Sequence, residues 1–178
     1  MDIHQIQVRY EPVADRLLMQ VRTRDEQLFA IWLTRRMVMR LWPHFRQAVV
    51  NLAVARSAPG AMAVPEAREM LAEAAREKAL EKADFKTRFD SSAAKPALGP
   101  EPMLPVAVDL GKAPGGALVF AVRDTQGRTL ELKLGEDLAN GLMKLVESAL
   151  ATAEWGLVAA PRPAPAEPPA ATPPRVLN

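Results

Sequence analysis

The chain has 178 residues, 49% apolar and 25% charged, enough for one compact domain or two small modules sharing a core. It contains no cysteine, which excludes disulfides, thiolate chemistry and any metal site that needs sulfur. The net charge of +2 conceals an asymmetry: residues 1–60 carry nine arginines, no lysine and five acids, whereas residues 101–155 carry five bases against eight acids.

The opening "MDIHQIQVRY" has none of the pattern of a secretory signal. No apolar run approaches the roughly 18 residues needed to cross a bilayer. These features predict a soluble, cytoplasmic protein with no membrane partner. In "IQVRY", Ile6, Val8 and Tyr10 alternate with Gln5, Gln7 and Arg9, the pattern of a half-buried strand. "RLLMQVRT" repeats it, with Leu17, Met19 and Val21 inward and Leu18, Gln20 and Arg22 outward. "RDEQ" turns the chain and "LFAIWL" forms a third strand, with Phe29, Ile31 and Leu33 inward and Leu28, Ala30 and Trp32 outward. Thr34 then offers a hydroxyl to cap a helix. Along that helix Met37, Val38, Leu41, Trp42, Phe45, Val49 and Leu52 recur at helical spacing and predict a core-facing stripe. Pro43 lies inside this pattern, where it removes one backbone bond and predicts a kink or a restart.

"VPEAREMLAEAAREKALEKADFKTRF" follows, rich in alanine, glutamate and lysine, with Pro65 suited to a first turn. It predicts a charged linking helix over 63–90, solvated along its length and docking at its ends through Met70, Leu71, Ala74, Phe85 and Phe89. Residues 91–103, including "SSAAKPALGPEP", read as a flexible connection.

Beyond it the first plan returns. "ALVFAVRDTQGRTLELKLGEDLANGLMKLVESAL" aligns without a gap on "RLLMQVRTRDEQLFAIWLTRRMVMRLWPHFRQAV" at an offset of 101 residues. Leu17, Val21 and Arg22 fall on Leu118, Val122 and Arg123. Met37, Leu41 and Phe45 fall on Leu138, Leu142 and Val146. "VAVDL" supplies the leading strand, and the glycine of "DTQG" suits a hairpin turn. The predicted fold is therefore α+β and mainly antiparallel: two βββα units, over 1–56 and 104–155, related by internal duplication and a pseudo-two-fold. Residues 156–178 hold seven prolines from position 161 onward and predict a disordered tail.

Chemical signatures are sparse. The two histidines, His4 and His44, and four serines form no nucleophile elbow or metal-binding pair, and "GKAPGG" lacks the spacing of a phosphate loop. Sequence alone therefore predicts no enzyme, no catalytic or metal-ligating residue and no cofactor. The two units do differ on one face. Where the second presents Thr129, Glu131 and Lys133, the first presents Leu28, Ala30 and Trp32, beside Gln7, Arg9, Gln20 and Arg22. Arg35, Arg36 and Arg40 adjoin this face at a helix start, where positive charge opposes the dipole. Together these residues predict an interaction face. Its expected occupant is a protein partner or a second copy of the chain. The alternative is a single-stranded nucleic acid, with bases stacking on Trp32 at about 1–3 kcal/mol each and arginines on phosphates.

Overall fold

The structure, a computed structural model, describes residues 1–57 and 64–157. The strands β1 (Ile3–Glu11), β2 (Arg16–Thr23) and β3 (Gln27–Thr34) form an antiparallel meander followed by the helix α1 (Arg35–Ser57). After α2 (Pro65–Lys82) and the short strand β4 (Lys95–Pro96), a second meander follows. It comprises β5 (Ala107–Lys112), β6 (Leu118–Arg123) and β7 (Thr129–Leu134), and leads into α3 (Glu136–Ala153). The fold is α+β, and the described residues form seven strands in two sheets and three helices. No helix among the described residues is long and apolar enough to cross a membrane. Most of the expected tail lies outside the described residues.

The 101-residue offset holds in the ladders. Leu17 pairs with Leu33 and Arg22 with Leu28, while Leu118 pairs with Leu134 and Arg123 with Thr129. It holds in the turns as well. Thr23 and Asp124 are both buried polar residues, and each accepts a backbone N–H four residues on, from Gln27 at 3.1 Å and Arg128 at 2.9 Å. Glu26 takes the left-handed conformation (φ 60°) at the place where the second turn has Gly127 (φ 78°).

Each helix reaches the sheet of the other unit. α3 packs along β1, and α1 reaches β5 and β6. The ring of Phe45 on α1 meets Phe120 on β6 edge to face, with centroids 6.5 Å apart. Beyond the end of α3, Trp155 packs edge to face on Tyr10 at 5.9 Å and donates its indole N–H to Asp15 at 2.8 Å. One cluster of buried side chains consequently runs from Leu17, Met19 and Ile31 through Trp42 and Phe45 to Phe120, Leu132 and Leu150. Each large apolar side chain in it contributes on the order of 1.5–3 kcal/mol by leaving water. α1 continues unbroken through the exposed Pro43, so the Met39 carbonyl has no N–H at position 43 to accept from.

Two segments differ from the sequence-based expectation. The middle helix ends at Lys82 rather than 90: Asp84 accepts the N–H groups of Lys86 and Thr87 at 2.8 and 3.0 Å, a local turn that competes with further helix. That helix is packed along its length, between α1 and α3. Its buried residues are Ala75 and Ala79, while Met70 and Phe85 are exposed. Small side chains let three helices approach, and the Arg76 guanidinium forks onto both Glu147 oxygens to bind α2 to α3. The connection over 91–103 is docked rather than loose. It runs parallel to β3, with Lys95 N–H on Glu26 O, Ala97 N–H on Leu28 O and Met103 N–H on Ala30 O, all at 2.8 Å. An exposed strand edge carries a row of unpaired backbone groups, and this segment satisfies them.

Candidate binding groove between α1 and β5

The residues predicted to form an interaction face divide between two places. Gln7, Arg9, Gln20, Arg22, Leu28 and Trp32 lie on the outer side of the first sheet, and Arg35, Arg36 and Arg40 lie on α1. The sheet side is partly occupied by the chain itself. Arg22 donates to Asp90 O at 2.9 Å and pairs with its carboxylate at 3.7 Å. Gln5 exchanges hydrogen bonds with Arg88 O and Asp90 N–H at 3.4 and 3.3 Å. Arg9 is paired with Glu11. Leu28 and Trp32 are half-buried, and the Trp32 N–H donates to Met103 O at 2.8 Å. Leu18, expected outward, is buried: it lies directly opposite Trp32 in the ladder. Gln7 and Gln20 are half-buried partners across β1 and β2. Both arginines of this face are thus already matched to carboxylates.

α1 presents a different surface. Thr34 accepts the Met37 N–H at 3.3 Å and starts the helix, as its sequence position suggested. From there Arg36, Arg40 and His44 recur every four residues, one exposed stripe beside the half-buried Met37 and Leu41. Opposite them stand Val106, Ala107, Val108 and Leu110, at the start of β5 and along it. The two elements enclose an open groove of about 820 Å³ with two arginines and a histidine in its lining and no acidic side chain. None of the three cationic-type residues has an ion pair or side-chain hydrogen bond among the described residues. Leu104 and Val106 leave 43% and 61% of their surface in solvent, so the approach to the groove is apolar.

The other half of the molecule supplies an internal contrast. Offset by 101 residues, Arg36, Arg40 and His44 correspond to Asp137, Gly141 and Leu145 on α3, a stripe without a cation. α3 lies closely along β1, whereas α1 touches β5 only sparsely and leaves the groove between them. The helix starts differ as well. α3 opens with Glu136 and Asp137, which complement the helix dipole, while α1 has no acid in its first turn and opens with Arg35 and Arg36.

Compared with known protein families, curated proteins and solved structures, the chain shows no match. Among the described residues, no three His, Asp or Glu side chains gather into a group that could hold a metal ion. Of the groove residues, Arg36 and Arg40 were identifiable from sequence. His44 was legible as their four-residue continuation. Val106, Val108 and Leu110 carried no signal, because only the exchange of helices brings β5 opposite α1.

Proposed function

We propose that the chain is a non-enzymatic binding protein and that the groove between α1 and β5 holds an anionic segment of a protein partner. The observation that carries this reading is the stripe of Arg36, Arg40 and His44. It faces an apolar wall, has no carboxylate partner among the described residues, and begins at a helix start where cations cost stability rather than add it. Matched carboxylates would supply charge-assisted hydrogen bonds, and the Met37, Leu41, Val108 and Leu110 surface would supply area. The matching register and turns of the two meanders support descent from one duplicated βββα unit. On that reading the second copy kept the acidic helix start and the first diverged toward binding.

A second reading keeps the same polarity with a different ligand: a single-stranded nucleic acid. The half-exposed Trp32 favours it, since an accessible ring can stack a base. The pairing of Arg9 and Arg22 with Glu11 and Asp90 weighs against it, because those cations are not free for phosphate.

The two readings separate in one titration. Backbone amide spectra of the whole chain would be recorded with polyglutamate and with a mixed-sequence single-stranded oligonucleotide, at low and high salt. The reading proposed here expects shifts with polyglutamate at Arg36, Arg40, His44 and 106–110. Oligonucleotide shifts centred on Trp32, Gln20 and Leu18 would favour the alternative. No shift with either anion would overturn the binding role of the groove.

A further inference from the structure

Among the described residues the outer edge of β5 has no strand partner: the second sheet runs β5-β6-β7, and β5 bonds only to β6. Its ladder is anchored by Val106 N–H on Arg123 O and Ala113 N–H on Ala117 O, each at 2.8 Å. Antiparallel pairing alternates, so Ala107, Asp109 and Gly111 point their backbone groups at β6. The N–H and C=O of Val108 and Leu110 point the other way, toward the free edge, and no other element bonds to them among the described residues. Natural sheets cover, charge or distort such an edge. Here the flanking residues Leu104 and Val106 are apolar and exposed, and the wall beyond is the arginine stripe of α1.

The same chain shows how an edge is satisfied elsewhere. Residues 95–103 lie along β3 as an extended segment, donating from Lys95, Ala97 and Met103 and accepting from Trp32. β1, which corresponds to β5, is also a terminal strand of its sheet, but α3 packs along it. Among the described residues, β5 combines an edge without a strand partner, an adjoining groove and cations without an ion pair.

We propose that β5 is a docking edge for an acidic, extended peptide. The peptide adds as a fourth strand beside Val108 and Leu110, and the side chains on the one face that meets the groove carry the carboxylates for Arg36 and Arg40, while the alternate apolar residues point to the other face. Strand addition draws affinity from main-chain hydrogen bonds and specificity from every second side chain, which this lining matches. Charge selects the peptide's composition: the groove lining holds no acid, and the nearest carboxylate on the strand, Asp109, alternates to the opposite face from Val108 and Leu110. The inference rests on the binding role proposed above and adds the form of the ligand.

The test uses the full chain and a capped ten-residue peptide of alternating valine and glutamate, with an alternating valine–lysine peptide as control. Amide hydrogen exchange of Val108 and Leu110 is followed by NMR. The proposal expects roughly tenfold or greater slowing of both amides with the glutamate peptide, none with the lysine peptide, and loss of the slowing in Arg36→Glu/Arg40→Glu. Shifts at the Arg36 and Arg40 side chains with unchanged exchange at Val108 and Leu110 would overturn strand addition while leaving anion binding intact. Equal slowing by the lysine peptide would overturn the charge selection. Slow exchange already present in the free protein, with a dimer by sedimentation, would assign the edge to a second copy and overturn the peptide proposal.

Discussion

Trp155 donates its indole N–H to the carboxylate of Asp15 at 2.8 Å, across 140 residues of sequence. Asp15 sits in the β1–β2 turn with φ 46°, and also accepts the Tyr10 hydroxyl at 3.0 Å. The end of the last helix is thereby tied to the first hairpin, and the two units share one cluster of buried side chains. Trp155 is 5% exposed, so Trp155→Ala should cost about 3–5 kcal/mol. Trp155→Phe, which keeps most of the ring and loses the hydrogen bond, should cost less. Urea unfolding should show one transition for both variants, lowered as a whole. A separate early transition confined to the second unit would contradict the shared core.

The same contact predicts a response to acid. Hydrogen bonds from Trp155 and Tyr10 hold the Asp15 carboxyl below the usual carboxylate range, against a smaller upward pull from burial. At Asp124 burial pulls upward, but the Arg128 side chain and the Arg128 and Gln126 N–H groups outweigh it, and the net shift is also downward. A group depressed on folding stabilises the protein above its unfolded pKa, near 3.9. That contribution is lost as pH falls from there through the lower folded value. Stability should therefore be level in these two terms from pH 7 to about 5 and decline below about 4. The gap between the parent and Asp124→Asn, measured by urea unfolding, should be widest near neutral pH and narrow toward pH 3.

α2 is held by its alanines. Ala79 is 1% exposed, so Ala79→Leu should overpack the junction of three helices and cost about 1–3 kcal/mol. Met70 is 75% exposed, and Met70→Ser should stay within about 0.5 kcal/mol of the parent. Thermal or urea midpoints of the two variants decide this, and the reverse order would mean that α2 docks through its long apolar side chains.

Much of this architecture could be read from the sequence. Leu17, Met19 and Val21 alternate because one sheet face is buried, and period two is visible without coordinates. The 101-residue offset was visible for the same reason. Three features were not. Helical periodicity says that Trp42 and Phe45 face a core, but not that the core includes Phe120 of the other sheet. Lys95 and Pro96 have poor strand propensity, and the β3 edge holds their segment by backbone groups that no side-chain pattern records. The alanines of α2 fell below the weight given to larger apolar residues. The groove shares the first difficulty, since its two walls meet only through the exchange of helices.

Glu26 occupies a left-handed position that Gly127 fills in the second turn. A residue with a Cβ pays roughly 1–2 kcal/mol there. Glu26→Gly should raise stability by about 1 kcal/mol, after the added flexibility of the unfolded chain is set against the relieved strain. Equilibrium unfolding measures it directly; a loss of stability would show that the Glu26 side chain contributes a contact that outweighs the strain.

The central claim is that the arginines of α1 serve a ligand rather than the fold, and Arg36→Glu tests it with two readings on one variant. Replacing a cation by an anion in the first turn of α1 should leave stability unchanged or raise it by about 0.3–1 kcal/mol. In the same variant, polyglutamate binding followed at the amides of 106–110 should weaken by roughly tenfold or more. A variant destabilised by more than about 1 kcal/mol, with polyglutamate binding unaltered, would contradict the claim and make Arg36 a structural residue.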